Sequence, residues 1–326
     1  MSFTVALIFS AILNGTPLLF GTIGEILTEK SGNLNLGVEG MMYTGGAVGL
    51  AGAFYYEKIA GVNASGPLAI IIAVLCSFLS GALCALIYSF ITITLRANQN
   101  VTGLALTIFG TGAGQFIGEL MRVKEGGYVV LSNELKDAFQ SAVFPDKLAN
   151  IPVVGPLIFG HNIFVYIGII IAIAMAFYLD KTRSGLNLRA VGESPSTADA
   201  AGINVISYKY LATMIGGGIS AIGGMVYIMT IAGGVWNHEG LAGEGWLAVA
   251  LVIFCLWMPR RAMWGSALFG ALMIMYLRIH LPIPNEIYKI LPYIVTIAVL
   301  IFTSVRRKQS VKEPESLGLS YFREER

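Results

Sequence analysis

The sequence predicts an all-α polytopic membrane protein with about nine transmembrane helices and an inverted repeat. Three observations predict it. Of 326 residues, 56% are apolar and only 12% charged, half the charge of a soluble domain, and the mean hydropathy is +0.73. The apolar residues fall in stretches near the length of helix that spans a bilayer core. The 39 glycines far outnumber the 11 prolines, a bias suited to helices packed closely in lipid. This balance excludes an ordinary cytosolic enzyme, a disulfide-stapled secreted module, and a disordered or nucleic-acid-binding chain. Cys76, Cys84 and Cys255 lie inside apolar runs and imply no disulfide framework. His161, His238 and His280 are too far apart to suggest a metal site.

Nine stretches read as crossings, 3–27, 37–56, 67–95, 101–121, 162–180, 207–232, 243–258, 263–279 and 288–305, and make residues 1–305 a transmembrane domain. The first has no basic leading segment and no small-residue cleavage site, so it reads as a crossing rather than a signal peptide. The seventh is short and the second opens on glycines, which suits re-entrant or broken helices. Alternation puts the N-terminus outside and the C-terminus in the cytosol. About two-thirds of the 21 Lys and Arg then lie inside, as the positive-inside rule requires. The firmest inner anchors are Met258-Pro259-Arg260-Arg261 and Arg306-Arg307-Lys308. Outside lies a long loop, 122–161, with a short helix expected around 132–142. Inside lie the loop 181–206 and a tail, 306–326, whose mixed charge reads as a solvated end.

The repeat is visible in two hexapeptides. Leu36-Gly37-Val38-Glu39-Gly40-Met41 and Leu241-Ala242-Gly243-Glu244-Gly245-Trp246 share Leu-x-x-Glu-Gly followed by a large residue, and each opens an apolar run. In the nine-crossing topology they start from opposite faces, as inverted repeats do.

No catalytic constellation is present. The chain lacks a Gly-x-x-x-x-Gly-Lys-[Ser/Thr] loop, a His-Glu-x-x-His pair and a Gly-x-Ser-x-Gly elbow. No cofactor is expected in this chain, and nucleotide energy would have to come from another subunit. In the inner loop, Ser194 suits an N-cap, Pro195 the first helical position and Gly202 the position past the last turn. Between them Ser196, Thr197, Ala198, Asp199, Ala200 and Ala201 make about two turns of small side chains. Such a helix either enters a groove on a partner or lies on the membrane as a passive connector.

Polar residues inside the crossings are the candidates for a substrate pathway. Asn35 either caps the next helix, with Glu39 in its first turn, or both face a hydrated cavity. Asn14, beside Gly15, Thr16 and Pro17, either bonds a neighbouring helix or lines the pathway. Asn98 and Gln99 mark the inner entrance of the fourth crossing, and Thr107 and Gln115 lie deeper. Its Gly110, Gly114 and Gly118 form a stripe that suits close helix contact better than a binding face. Glu244 is the repeat partner of Glu39. Trp246 either stacks on a flat ligand ring or, with Trp236, Trp257 and Trp264, anchors a crossing end at the interface.

Glu25-Ile-Leu-Thr-Glu-Lys-Ser-Gly-Asn-Leu-Asn-Leu-Gly-Val-Glu-Gly-Met-Met42 resembles the signature of permease subunits in bacterial ATP-binding cassette (ABC) importers for nucleosides and simple sugars, the ribose-type, branched-chain-amino-acid-like family. Gly185-Leu-Asn-Leu-Arg-Ala-Val-Gly-Glu-Ser-Pro-Ser-Thr-Ala-Asp-Ala-Ala-Gly-Ile-Asn204 is similar to that family's coupling loop, and Gly243-Glu-Gly-Trp-Leu-Ala-Val-Ala-Leu-Val-Ile-Phe254 to its second-half motif. The resemblance covers nearly the whole chain. It implies a type II ABC importer-like permease with no ATP site of its own, in a bacterial cytoplasmic membrane. The implied partners are an ABC ATPase subunit that binds ATP and Mg, a second, larger permease subunit, and an extracellular substrate-binding lipoprotein. The short form suits the smaller permease of a nucleoside heterodimer, with ribose or another simple sugar as the alternative cargo. Rivals from other classes are a self-sufficient ion-coupled secondary transporter using Glu39 or Glu244, and a channel.

Overall fold

Long runs of Leu, Ile, Ala and Phe, broken only by short polar turns, leave the backbone one way to satisfy its hydrogen bonds in an apolar setting, which is helix. The computed structural model describes residues 3–149, 151–241, 243–278, 290–298, 301 and 313–322. The helices are α1 Phe3–Glu29, α2 Val38–Ala60, α3 Gly66–Ser89, α4 Gln99–Lys124, α5 Asn133–Gln140, α6 Asp146–Ala149, α7 Ile163–Lys181, α8 Arg183–Glu193, α9 Pro195–Ala200, α10 Val205–Val226, α11 Glu244–Phe254 and α12 Pro259–Arg278. Residues 290–298 are also helical; the rest of the stretch 288–305, apart from residue 301, lies outside the described residues, as do Arg306-Arg307-Lys308 and His280. Both α3 and α10 run on into a wider π turn, Phe90–Thr94 and Tyr227–Ile231. Among the described residues, five segments, Phe3–Glu29, Gly66–Thr94, Gln99–Lys124, Ile163–Lys181 and Val205–Ile231, are long and apolar enough to cross a membrane. By contrast α11 is a shorter apolar helix of 11 residues.

The centre of the bundle is the pair α1 and α10. Around it the contacts repeat by exchange: α1 also packs on α12 and α11, while α10 also packs on α3 and α2. The two central helices touch backbone to backbone. A Cβ added to Gly24 would sit 2.2 Å from the Gly216 carbonyl oxygen, and one added to Gly216 would sit 2.4 Å from that of Gly24. With lipid as apolar as any side chain, this close approach and its dispersion contacts hold such helices together. Polar side chains add bonds across the same seam: Ser220 donates to the Gly21 carbonyl at 3.1 Å and Thr22 to the Ala248 carbonyl at 3.2 Å. The glycine stripe of α4 lies against α2, with Gly110 on the Gly40 backbone and Gly114 on the Tyr43 carbonyl, while Gly118 backs the Trp236 ring.

The long loop after α4 holds α5, whose N-cap Ser132 accepts from Leu135 N–H; its Leu135 and Phe139 are buried, and Phe139 stacks on Phe164 at 5.9 Å. At the loop's end His161 is buried and stacks on Phe9 at 4.5 Å. Burial pushes its imidazole down to about 4, so it is neutral at physiological pH.

Two expectations are corrected. The loop 181–206 is a helix pair rather than one short helix: α8 precedes α9, started by Thr182, whose hydroxyl accepts from Gly185 N–H. Its few apolar positions gave weak periodicity. The tail is not a solvated end over its described part. Residues 313–322 pack on the end of α8, where Ser316 N–H donates to the Gly192 carbonyl at 3.1 Å, and on loop 30–37, where Gly318 N–H donates to the Gly32 carbonyl at 3.2 Å. The charges there flank an uncharged run, Ser316 to Phe322, and that run supplies most of the contacts, with Glu315 N–H adding one to the Glu193 carboxylate at 3.3 Å.

Candidate functional site

Each helix begins with backbone N–H groups that have no partner within the helix. The structure brings two such beginnings together. The N-terminus of α11 is preceded by Gly243 at φ +93°, and it faces Glu39 in the first turn of α2. The Glu39 carboxyl, 6% exposed, accepts from Gly243 N–H at 2.7 Å with one oxygen. The other oxygen accepts from Gly245 N–H at 2.6 Å and Trp246 N–H at 3.3 Å. An acidic group there is favoured by the partial positive charge of the helix start. The approach requires glycine: a Cβ on Gly245 would lie 2.3 Å from the Glu39 Cα. The two hexapeptides of the repeat are therefore in direct contact, and the partner that the sequence did not name for Glu39 is the other hexapeptide. The relation is not symmetric in its bonds. Glu244 is 5% exposed, and its Oε2 has no hydrogen-bond partner among the described residues. Trp246 is half-buried at this junction.

Beneath the junction, loop 30–37 is fixed at nearly every residue. Glu25 accepts from Asn35 N–H and from its side-chain amide, both at 3.2 Å. The Asn35 side-chain oxygen accepts from Gly37 N–H at 2.9 Å. Asn35 thus shapes the turn ahead of α2, while Gly37 holds the cap position, a shift of two residues from the expected cap. Gln99 accepts from Leu34 N–H at 2.7 Å, Tyr88 donates to the Leu34 carbonyl at 2.5 Å, and Thr107 donates to the Leu36 carbonyl at 2.6 Å. Asn98 caps α4 through Val101 N–H at 3.1 Å. Of the remaining candidates, Asn14 turns back on its own helix, donating to the Ser10 carbonyl at 2.8 Å. Gln115 donates to the His238 carbonyl at 3.4 Å, far along α4 from Asn98.

Sequence reasoning passed over Glu25 and Glu29. Both are buried in α1, and the Trp257 indole donates to Glu29. Two acids four apart inside an apolar helix share one face, and that was an available signal. Trp257 and Trp236 are buried within the bundle rather than presented to an interface, and Trp264 is 80% exposed.

The second element of the site is α9. Pro195 opens it, and Gly202 at φ +81° follows it. Gly202 N–H donates to the Asp199 carbonyl at 2.9 Å and Ile203 N–H to the Ala198 carbonyl at 3.0 Å. Ser194 occupies the N-cap position, but its hydroxyl donates to the Thr197 hydroxyl at 2.8 Å instead of receiving a backbone N–H. The Thr197 hydroxyl oxygen, three residues on, takes the Ser194 proton in a local side-chain bond. Ala198 is buried against Val191, Val205 and Tyr321, while Ser196, Thr197, Ala200, Ala201 and Gly202 are exposed.

A family profile described as branched-chain amino acid transport system / permease component matches residues 7–300. The chain is 33% identical to the candidate glucose ABC transporter permease protein TsgC13 of Haloferax volcanii, over 99% of both chains. It is 32% identical to the guanosine ABC transporter permease protein NupQ of Bacillus subtilis, over 89% of both. It is 30% identical to the nucleoside ABC transporter permease protein NupC of Lactococcus lactis, over 90% of both. The family match takes in the α2–α11 junction and α9 alike. The chain is a multi-pass membrane protein and a transport subunit, and it belongs to the branched-chain amino acid transport system permease component family.

Proposed function

We propose that the chain is the smaller permease subunit of a nucleoside ABC importer and forms half of its pathway. The observation that carries this reading is the meeting of α2 and α11 at Glu39. Two short helix starts that face each other inside a bundle form a polar centre where solute hydroxyls and ring amides can be received without lipid contact. In this reading the two halves are inverted repeats of a nine-crossing, type II importer-like fold, with the N-terminus outside and the C-terminus in the cytosol of a bacterium. Solute arrives from an extracellular lipoprotein. A larger permease supplies the other half, and ATP with Mg is bound by a separate ATPase that pushes on α9. No covalent chemistry is involved. Family membership favours this over an ion-coupled carrier or a channel, and the nucleoside permeases NupQ and NupC support the cargo.

The likeness to TsgC13 supports a second reading, uptake of glucose or another simple sugar. Competition separates them. In vesicles carrying the complete importer, excess unlabelled nucleoside is expected to cut the uptake of labelled nucleoside at least about tenfold, while glucose and ribose leave it unchanged. Labelled glucose uptake insensitive to nucleoside would establish the sugar reading instead.

A further inference from the structure

The described part of the tail, 313–322, follows the family match and is tied on two sides. On one side Tyr321 donates to the Asp199 carboxylate of α9 at 2.7 Å, and its ring joins the cluster that buries Ala198. Ser316 bonds the Gly192 carbonyl through both N–H and hydroxyl, at the end of α8. On the other side Gly318 N–H donates to the Gly32 carbonyl at 3.2 Å, and the Gln99 amide donates to the Leu319 carbonyl at 3.4 Å. The Arg96 guanidinium lies 4.7 Å from the centre of the Phe322 ring. The segment is also braced by its own turns, with Leu317 N–H on the Pro314 carbonyl at 3.0 Å and Leu319 N–H on the Ser316 carbonyl at 3.1 Å.

Two glycines on this line are in close contact with their neighbours. A Cβ on Gly192 would lie 2.3 Å from the Lys30 carbonyl oxygen, and one on Gly32 would lie 2.7 Å from the Ser316 hydroxyl. Packed contacts of this kind transmit displacement rather than absorb it. At Asp199, α9 borders a cavity of about 590 Å³ whose lining also includes Ser320 and Tyr321 of the tail, Asn33 of loop 30–37 and Lys209 of α10, so α9, the tail and that loop surround a common space.

We propose that residues 313–322 form a strut that carries movement of α9 to loop 30–37, beneath the α2–α11 junction. Tyr321 and Ser316 are its positioning residues. The proposal rests on the reading of α9 as the seat of an ATPase, and its test separates the two. The importer is purified from membranes with the wild-type chain, with Tyr321→Phe, and with a chain ending at residue 312. Bound ATP-hydrolysing subunit, ATP hydrolysis, and nucleoside uptake in vesicles are then measured. Both variants are expected to retain the ATPase subunit and hydrolyse ATP, while nucleoside moved per ATP falls about three- to thirtyfold. Tyr321→Phe removes one hydroxyl and leaves the ring packed, so it reports on the strut even if the shortened chain does not fold. Wild-type stoichiometry in Tyr321→Phe overturns the proposal and leaves the permease reading standing. Loss of the ATPase subunit from either variant also overturns it, because the tail would then be a docking surface. A wild-type chain that purifies with no ATP-hydrolysing subunit overturns both.

Discussion

Replacing Glu39 with alanine is expected to reduce uptake by at least about a hundredfold. The carboxyl accepts three backbone N–H groups at the start of α11, and all three would lose their acceptor. A buried donor left unpaired costs about 1–3 kcal/mol, so the junction loses at least about 3 kcal/mol, and each 1.4 kcal/mol is a factor of ten. Glu39→Gln is nearly as harmful, because it turns an N–H₂ group toward backbone donors that need an acceptor. Glu39→Asp keeps both oxygens but withdraws them by one methylene, and it recovers part of the loss. Nucleoside uptake with thermal unfolding of the detergent-solubilised protein checks the series. Uptake within twofold of wild type in Glu39→Ala would mean that the junction is not part of the pathway.

Gly24→Ala is expected to leave little folded protein. In an ordinary helix this change gains about 1 kcal/mol of helix propensity. Here the new methyl would sit 2.2 Å from the Gly216 carbonyl oxygen and 2.3 Å from the Ser220 hydroxyl. Both contacts lie on the α1–α10 seam at the centre of the bundle, and Gly216 meets Gly24 reciprocally, so neither helix can yield locally. Overpacking costs about 1–3 kcal/mol where neighbours can adjust and more where backbone must move, so the clash outweighs the propensity gain. Gly112→Ala in α4 is the control, since a Cβ there meets nothing within 4 Å. Yield and melting temperature in detergent decide the matter. Equal stability of the two variants would contradict the packing described for α1 and α10.

The helical class was legible because lipid imposes one backbone solution, and apolar run length reports it directly. The α9 segment was legible from Pro195 and Gly202, whose backbone restrictions act locally. What faces what was not. Glu39 looked like a first-turn acid of its own helix, but its acceptor role is spent on α11, more than two hundred residues away. Only the repeated Leu-x-x-Glu-Gly hinted that the two would meet. Asn35 was legible as a turn-former but not as the partner of Glu25, because that pairing depends on how loop 30–37 folds back on α1. The tail misled because its net polarity says nothing of Tyr321 and Ser316, each of which needs only one well-placed acceptor to dock.

The central claim is that the driving force reaches this chain from a separate ATP-hydrolysing subunit. The most direct measurement is the nucleoside concentration ratio across sealed vesicles that hold the permease pair with or without that subunit, under an imposed ion gradient. The account predicts accumulation only when the subunit and ATP are both present. Accumulation by the permeases alone, abolished by collapsing the gradient, would contradict it and shift the drive to Glu39 and Glu244.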